Sequence, residues 1–529
     1  MTDESRGADL RGLGVLDWLV VTFYISALLI FGLLLSRRQF RTVDYFLASR
    51  SSRWPVIGLA LLASNMSATA LVGLAGGAYA VGIAVFDYEW SAVVVLVFFC
   101  IFVAPLLLAS QVYTMPEFLE RRYDRRVRIH FSLLTLFLNV VVDSAGVLYC
   151  GSLVCQLLFP SWPLWAIVLV LGASGGLYAI LGGLRAVIYT EAVQAIVLLI
   201  GAVLIAFGAF SRVGGWHALV SQVNPAALSL IRPVSDPGLP WPGLVLGIPL
   251  LGFYYWCTNQ SIVQRVLSAH SLEHARWGAM LAGALKLPVL FLIVLPGTCA
   301  LLLFPHISHA DRVYPSLVME LLPAGALGLV VAGFIAATTV SIAALFNSAS
   351  TLITMDVIKR FRPALSDAHL VLTGRLTTAA LLLFAVAWAP QLQHFTSLWQ
   401  YLQAVLAYVV PPIVAVFGVG LFWRRASADG AAAAMRLGSL CGLAAFLINV
   451  VFQWTHLHFL YVAPILFLID VLILVSVSVQ TPAPDAAQFV PQMWQREARP
   501  AIPVPFWKDY RYQAAALLVA TTALVVAFR

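Results

Sequence analysis

Residues 56–80 read VIGLALLASNMSATALVGLAGGAYA, and the reading of this stretch decides the fold class. As a helix rising about 1.5 Å per residue, it is long and apolar enough to cross about 30 Å of hydrocarbon. Its middle, however, is a polar island, Ala63-Ser64-Asn65-Met66-Ser67-Ala68-Thr69. Irregular backbone survives at membrane depth only where it is buried in protein or lines a cavity. One reading is an interrupted transmembrane helix whose free carbonyls and helix ends face a midplane ligand. Small and hydroxyl residues also serve close helix packing, and this stretch alone leaves that second reading open.

The rest of the chain agrees with a membrane setting. Hydrophobic residues make up 61% of the 529, charged residues only 10%, and the mean hydropathy is +0.93, too little charge to cover a soluble surface. Apolar runs recur at 14–35, 56–80, 86–110, 129–158, 164–181, 187–210, 244–266, 278–304, 327–358, 370–389, 398–423, 431–451, 460–479 and 514–528. The fold class is therefore all-α integral membrane, with about 14 transmembrane helices in one transmembrane domain over 1–529. The opening segment is acidic (Asp3, Glu4, Asp9) and its apolar run is long and followed by Arg37 and Arg38, which is not the pattern of a cleaved signal. The six cysteines lie in or beside apolar runs without zinc-type spacing and read as small buried hydrophobes.

Charge placement orients the runs. With the N-terminus outside, the inside gaps collect Arg37, Arg38, Arg41, Arg50 and Arg53, then Arg121, Arg122, Arg125, Arg126 and Arg128, then Arg185. Arg265 and Arg276 follow, then Lys359, Arg360 and Arg362, then Arg424 and Arg425, and last Arg496, Arg499, Lys508 and Arg511. The outside gaps, including the long 211–242, are poor in charge, so both termini are expected outside, extracellular or periplasmic. The net charge of +8 belongs to this topology signal and to anionic headgroups; no nucleic acid and no obligate protein partner is expected. The location implied is a cell membrane, plasma or inner.

After the leading helix at 14–35, a first five-helix set covers 54–211 and a second covers 243–423, with peripheral helices over 431–529. An odd number of crossings makes the second set an inverted repeat of the first. The first helix of the second set carries Gly247, Pro249 and Gly252, so a break is expected there too.

Ionisable residues inside such runs cost roughly 2.5–3.5 kcal/mol each at a helix centre and demand a reason. Glu89, Asp143, Glu191 and Lys286 are the chief ones, with Asp356 and Asp470 nearer the ends. Lys286, deep in an apolar run, calls for a carboxylate, and Glu89 is the natural candidate; a structural ion pair is the plain alternative. Glu191 and Asp356 also fit interfacial caps. Thr338, Thr339, Ser341, Asn347, Ser348, Ser350 and Thr351 form a hydroxyl-rich stripe unlike a lipid-facing surface. Trp399-Gln400-Tyr401-Leu402-Gln403 pairs aromatic rings with amides, a combination that suits a sugar, although an interfacial belt would look similar.

Several motifs in order resemble the sodium:solute symporter family, in its sodium/glucose cotransporter branch. They are Leu62-Ala63-Ser64-Asn65, residues 86–90, Gly182-Gly183-Leu184-Arg185-Ala186-Val187-Ile188-Tyr189-Thr190, and Tyr255-Trp256-Cys257-Thr258-Asn259-Gln260 with Gln264-Arg265. Residues 346–356 and the stretch from Pro411-Pro412 to Phe422-Trp423 complete the set. The resemblance implies two inverted five-helix repeats with broken first helices, and sodium-coupled sugar uptake by alternating access. It further implies sugar contacts at Asn65, Glu89, Lys286 and Gln403, an inner gate at Tyr255 with Trp256 beside it, and co-transported sodium. The ion would be bound by carbonyls of Ala63, Met66 and Ala337 and by the Ser341 hydroxyl. The chain departs from the family at Val340, where a hydroxyl ligand is expected, at Glu191 in place of an aspartate, and at Ala70 and Gly252 among sugar contacts. Sodium-independent or proton-coupled sugar carriage, and sodium symport of another small solute such as inositol, are the alternatives. A membrane enzyme is not expected, because no P-loop, metal-ligand cluster or activated nucleophile is visible. Nor is a receptor, because 481–510 is too short for a signalling domain.

Overall fold

In the segment 54–81, helical propensity gives way at the polar island and resumes after it. Helix α2 (Trp54–Asn65) starts on Pro55, whose missing N–H is harmless in a first turn. It ends where the Met66 amide bonds back to Leu62 O at 2.6 Å; Ser67 is extended, and helix α3 (Ala68–Val81) begins anew. Before it, helix α1 (Val15–Ser36) packs on the helices Leu164–Val213 and Ala326–Thr351. The computed structural model describes residues 13–36, 50–307, 309–359, 362, 364–394, 398–485, 493–494 and 505–529. The acidic opening, Arg37, Arg38, Arg41, Arg360, Arg496 and Arg499 lie outside them, as do the side chains of Arg185 and Asp356.

The regular structure of the described residues is helical, without a strand. Among them, nine helices are long and apolar enough to cross a membrane, and the pair α9 and α10 makes a tenth, bent by 56°. Val15–Leu28, Trp54–Asn65 and Leu164–Tyr178 are shorter apolar helices. Helix α4 (Asp87–Phe98) follows a tight turn in which Gly82 takes φ +77°; a Cβ there would sit 2.4 Å from Ala227 O, so only glycine fits. Helix α5 (Leu164–Val213) runs 50 residues without interruption, whereas the sequence suggested two helices separated at 182–186. That segment holds no proline, so nothing removes a donor from the ladder. At about 75 Å, α5 is more than twice the hydrocarbon thickness, and its apolar spans lie in its two halves.

Helix α6 (Trp241–Phe253) corrects a second expectation, because it passes through Gly247, Pro249 and Gly252 intact. The break falls one turn later, where a wide π turn, Tyr254–Thr258, gives way to extended Asn259. The Asn259 amide N–H bonds Tyr254 O at 2.9 Å, and its side-chain Oδ1 accepts from Ser261 N at 2.9 Å, capping the next helix. The capping asparagine, not the glycines and proline, sets the interruption. Helix α7 (Leu272–Lys286) follows. Helix α8 (Ala326–Thr351) is the most enclosed: 83% of its apolar window is buried, against 17% for residues 372–392 and Tyr510–Ala527. Asp17 of α1, itself buried, accepts from Gly325 N at 2.7 Å and Gly328 N at 2.9 Å and so caps α8. Helices α9 (Leu398–Val409) and α10 (Pro411–Phe422) meet at Pro411 and Pro412, where two missing donors account for the bend. Five of the six cysteines are buried and all are free thiols.

Candidate functional site

Both helix breaks open onto one cavity of about 150 Å³. Ser64, Asn65 and Ser67 line it from the first break, and Tyr255, Trp256 and Asn259 from the second. Tyr88 and Glu89 reach it from α4, Ser341 from α8, and Trp399 and Gln403 from α9. Asp143 enters from the wide turn Leu138–Ser144, inside the membrane helix Arg125–Gln156.

The chemistry of the site centres on Lys286. Its side chain is fully buried at the end of α7, and its ammonium donates to Glu89 Oε2 and to Asn65 Oδ1. The Trp256 ring lies 5.5 Å from Nζ, within cation–π range. Asn65 also meets the Tyr255 hydroxyl, and the Tyr255 and Trp256 rings are edge-to-face at 5.1 Å. One buried polar unit thus joins the first break, α4, α7 and the second break. It presents amide, carboxylate and ammonium groups beside aromatic faces, the mixture that satisfies hydroxyls while covering C–H surface. Across α9, Trp399 stacks edge-to-face with Tyr88 at 5.4 Å, and Gln403 adds an amide one turn on.

Of the expected sugar contacts, Asn65, Glu89, Tyr255, Trp256 and Gln403 line the cavity, and Lys286 is hydrogen-bonded into its wall. Of the expected sodium ligands, Ser341 lines it beside Ser64 and Ser67, while Ala63 and Met66 flank those serines at the end of α2. Ala337 lies one turn before Ser341 on α8, and Val340 between them is buried and offers no side-chain oxygen.

The sequence reading placed Arg265 among loop charges, which needs correcting, and left Glu191 open between an interfacial cap and a functional carboxylate. The two form a buried ion pair on the cavity wall, each only 2% exposed, with Arg265 Nε donating to Glu191 Oε2 at 2.8 Å. No local sequence signal marks this: Gln260, Ser261 and Gln264 on the same short helix are polar yet buried as well, which only the packing shows. Arg122 is buried too, donating to the carbonyls of Gly420 at 2.9 Å and Trp423 at 3.0 Å beyond the end of α10.

Residues 45–438 match the family model described as "Sodium:solute symporter family". The chain is 35% identical to a sodium/glucose cotransporter 4 of Danio rerio, covering 91% of this chain and 81% of that one. It is also 35% identical to a sodium/mannose cotransporter of Bos taurus, over 92% and 90% of the two chains. Among solved structures, a Na+-coupled sialic acid symporter in a substrate-bound outward-open state superposes with a TM-score of 0.76 over 89% of this chain and 99% of that one. Identity there is 20%, so this likeness speaks for the fold alone.

Proposed function

The chain belongs to the sodium:solute symporter family, a family of transporters and not of enzymes, and from that premise we propose that it carries a sugar or similar polyol across the membrane with sodium. The observation that carries this reading is the buried Lys286–Glu89–Asn65 unit at a cavity also lined by Tyr255 and Trp256. A neutral polyol needs many hydrogen bonds and no net charge, and an ammonium held against a carboxylate and an amide supplies donors and acceptors in one place. Gln403 adds a further amide, and Tyr255 lines the cavity from the second break.

Sodium is a hard cation that takes oxygen ligands. The carbonyls of Ala63 and Met66 belong to the last turn of α2, which lacks intrahelical partners, and with Ala337 O and Ser341 Oγ they form the candidate ligand set. The proposed cycle is alternating access. Sodium favours an outward-open state, the solute enters beside Lys286, and repeats 54–211 and 243–423 rock to expose both inward. The apolar runs and loop charges call for fourteen crossings with both ends outside a plasma or inner membrane, and because α5 is unbroken over two of those runs, that count requires a bend at 182–186. Each sodium ion moving inward gains about 2.3 kcal/mol per 100 mV of membrane potential.

The test is hexose uptake into proteoliposomes under an imposed sodium gradient. Uptake is expected to collapse when choline replaces sodium. Val340 favours a second reading, sodium-independent or proton-coupled carriage, and uptake that persists in choline selects it. A panel of hexoses, pentoses and inositols identifies the solute. Transport of none of them overturns the sugar reading.

A further inference from the structure

Charge on the cavity wall does not balance. Three carboxylates line it: Glu89, Glu191 and Asp143. Lys286 neutralises the first and Arg265 the second. Among the described residues, no basic side chain lies within ion-pair distance of Asp143; its polar partner is the Asn259 side chain. An amide hydrogen-bonds a carboxylate but cannot cancel its charge. An ionised carboxylate in a mainly apolar cavity is costly unless it takes up a proton or a positive charge comes to it. A sugar is neutral and brings none.

The second solute of the proposed cycle does. Ser341, a candidate ion ligand, lines the same cavity as Asp143. We propose that Asp143 is the counter-charge of the co-transported cation: it raises cation affinity by attraction through the cavity, without being one of the direct ligands. The inference rests on the sodium-coupled reading above and deepens it. It also gives a role to a carboxylate that the sugar contacts do not use, and it offsets the oxygen that Val340 does not provide. At an effective dielectric of about 20, a unit charge roughly 8 Å away changes a monovalent ion's affinity about thirtyfold, so an indirect group suffices. Asn259, held between the Asp143 carboxyl and the Ser261 amide, places this charge at the second helix break.

The experiment compares wild type, Asp143→Asn and Asp143→Glu as full-length proteins in proteoliposomes, measuring hexose uptake against external sodium. Asp143→Asn is expected to raise the half-saturating sodium concentration about tenfold or more while leaving the sugar KM at saturating sodium within about twofold. Asp143→Glu, which keeps the charge, should stay within about threefold of wild type in sodium. If a variant is transport-dead, sodium-dependent protection of the purified protein against thermal unfolding reads the same affinity. An unchanged sodium requirement in Asp143→Asn overturns the proposal. So does a raised sugar KM with sodium half-saturation unmoved, which would make Asp143 a sugar ligand. Wild-type uptake indifferent to sodium fails earlier and separately, and overturns the coupling reading along with this one.

Discussion

Removing the Lys286 ammonium tests the central site most sharply, because stability and transport should respond differently to a second change. Lys286 is fully buried and Glu89 is 3% exposed, so Lys286→Met leaves a carboxylate without its cation and Asn65 without its donor. Breaking one side of a buried pair costs about 3–5 kcal/mol, mostly the penalty of the charge left behind. For a chain of this size the midpoint of thermal unfolding should fall by roughly 3–5 °C. Glu89→Gln alone should be milder, because Lys286 keeps Asn65 and an amide oxygen. The double variant, with both charges gone, should recover most of the lost stability, since neutral replacements of buried pairs are often tolerated. Transport should not recover. Charge-assisted hydrogen bonds are worth about 1.5–3 kcal/mol each, so the solute KM should rise by at least about tenfold in every variant. The assay pairs fluorescence-monitored unfolding in detergent with uptake in proteoliposomes. A double variant that transports like wild type would reduce the pair to a structural brace and refute its place in the solute site. A Lys286→Met protein of unaltered stability would refute the pairing itself.

Three further outcomes are expected. Val340→Ser adds a hydroxyl between Ala337 and Ser341, and half-saturating sodium should fall severalfold in an uptake titration; a rise would move the ion elsewhere. Asn259→Ala removes the oxygen that accepts from Ser261 N at 2.9 Å and Ser261 Oγ at 2.7 Å, costing about 1 kcal/mol and slowing turnover, read as a lower unfolding midpoint and a lower maximal uptake rate. Neither carboxyl oxygen of Asp470 has a partner among the described residues, and a Cβ on Gly438 would sit 2.0 Å from one of them. Asp470→Ala should therefore raise stability by about 1–3 kcal/mol, and a lowered midpoint would show that the carboxyl has a partner after all.

Much of this protein is legible along the chain because hydropathy and local backbone preference are properties of neighbours. Apolar runs name the solvent, the polar island at 63–69 names the first break, and Lys286 within an apolar run announces that a carboxylate must be found for it. The motif order is likewise linear, and it leads to the family. The second break was misplaced because glycine and proline are weak signals inside a membrane helix, where packing carries α6 straight through Gly247, Pro249 and Gly252. Partnership is another matter. Lys286 meets Glu89 197 residues away and Asn65 221 residues away, and Arg265 meets Glu191 across 74. No periodicity encodes such distances; they arise when helices pack and every buried charge must be matched. By itself the sequence determined the membrane setting, the family and the need for a partner at Lys286. Only the tertiary structure decided that Arg265 is a core residue, and that Asp143 stands on the cavity wall with its charge unmatched, because burial of a side chain depends on which helices surround it.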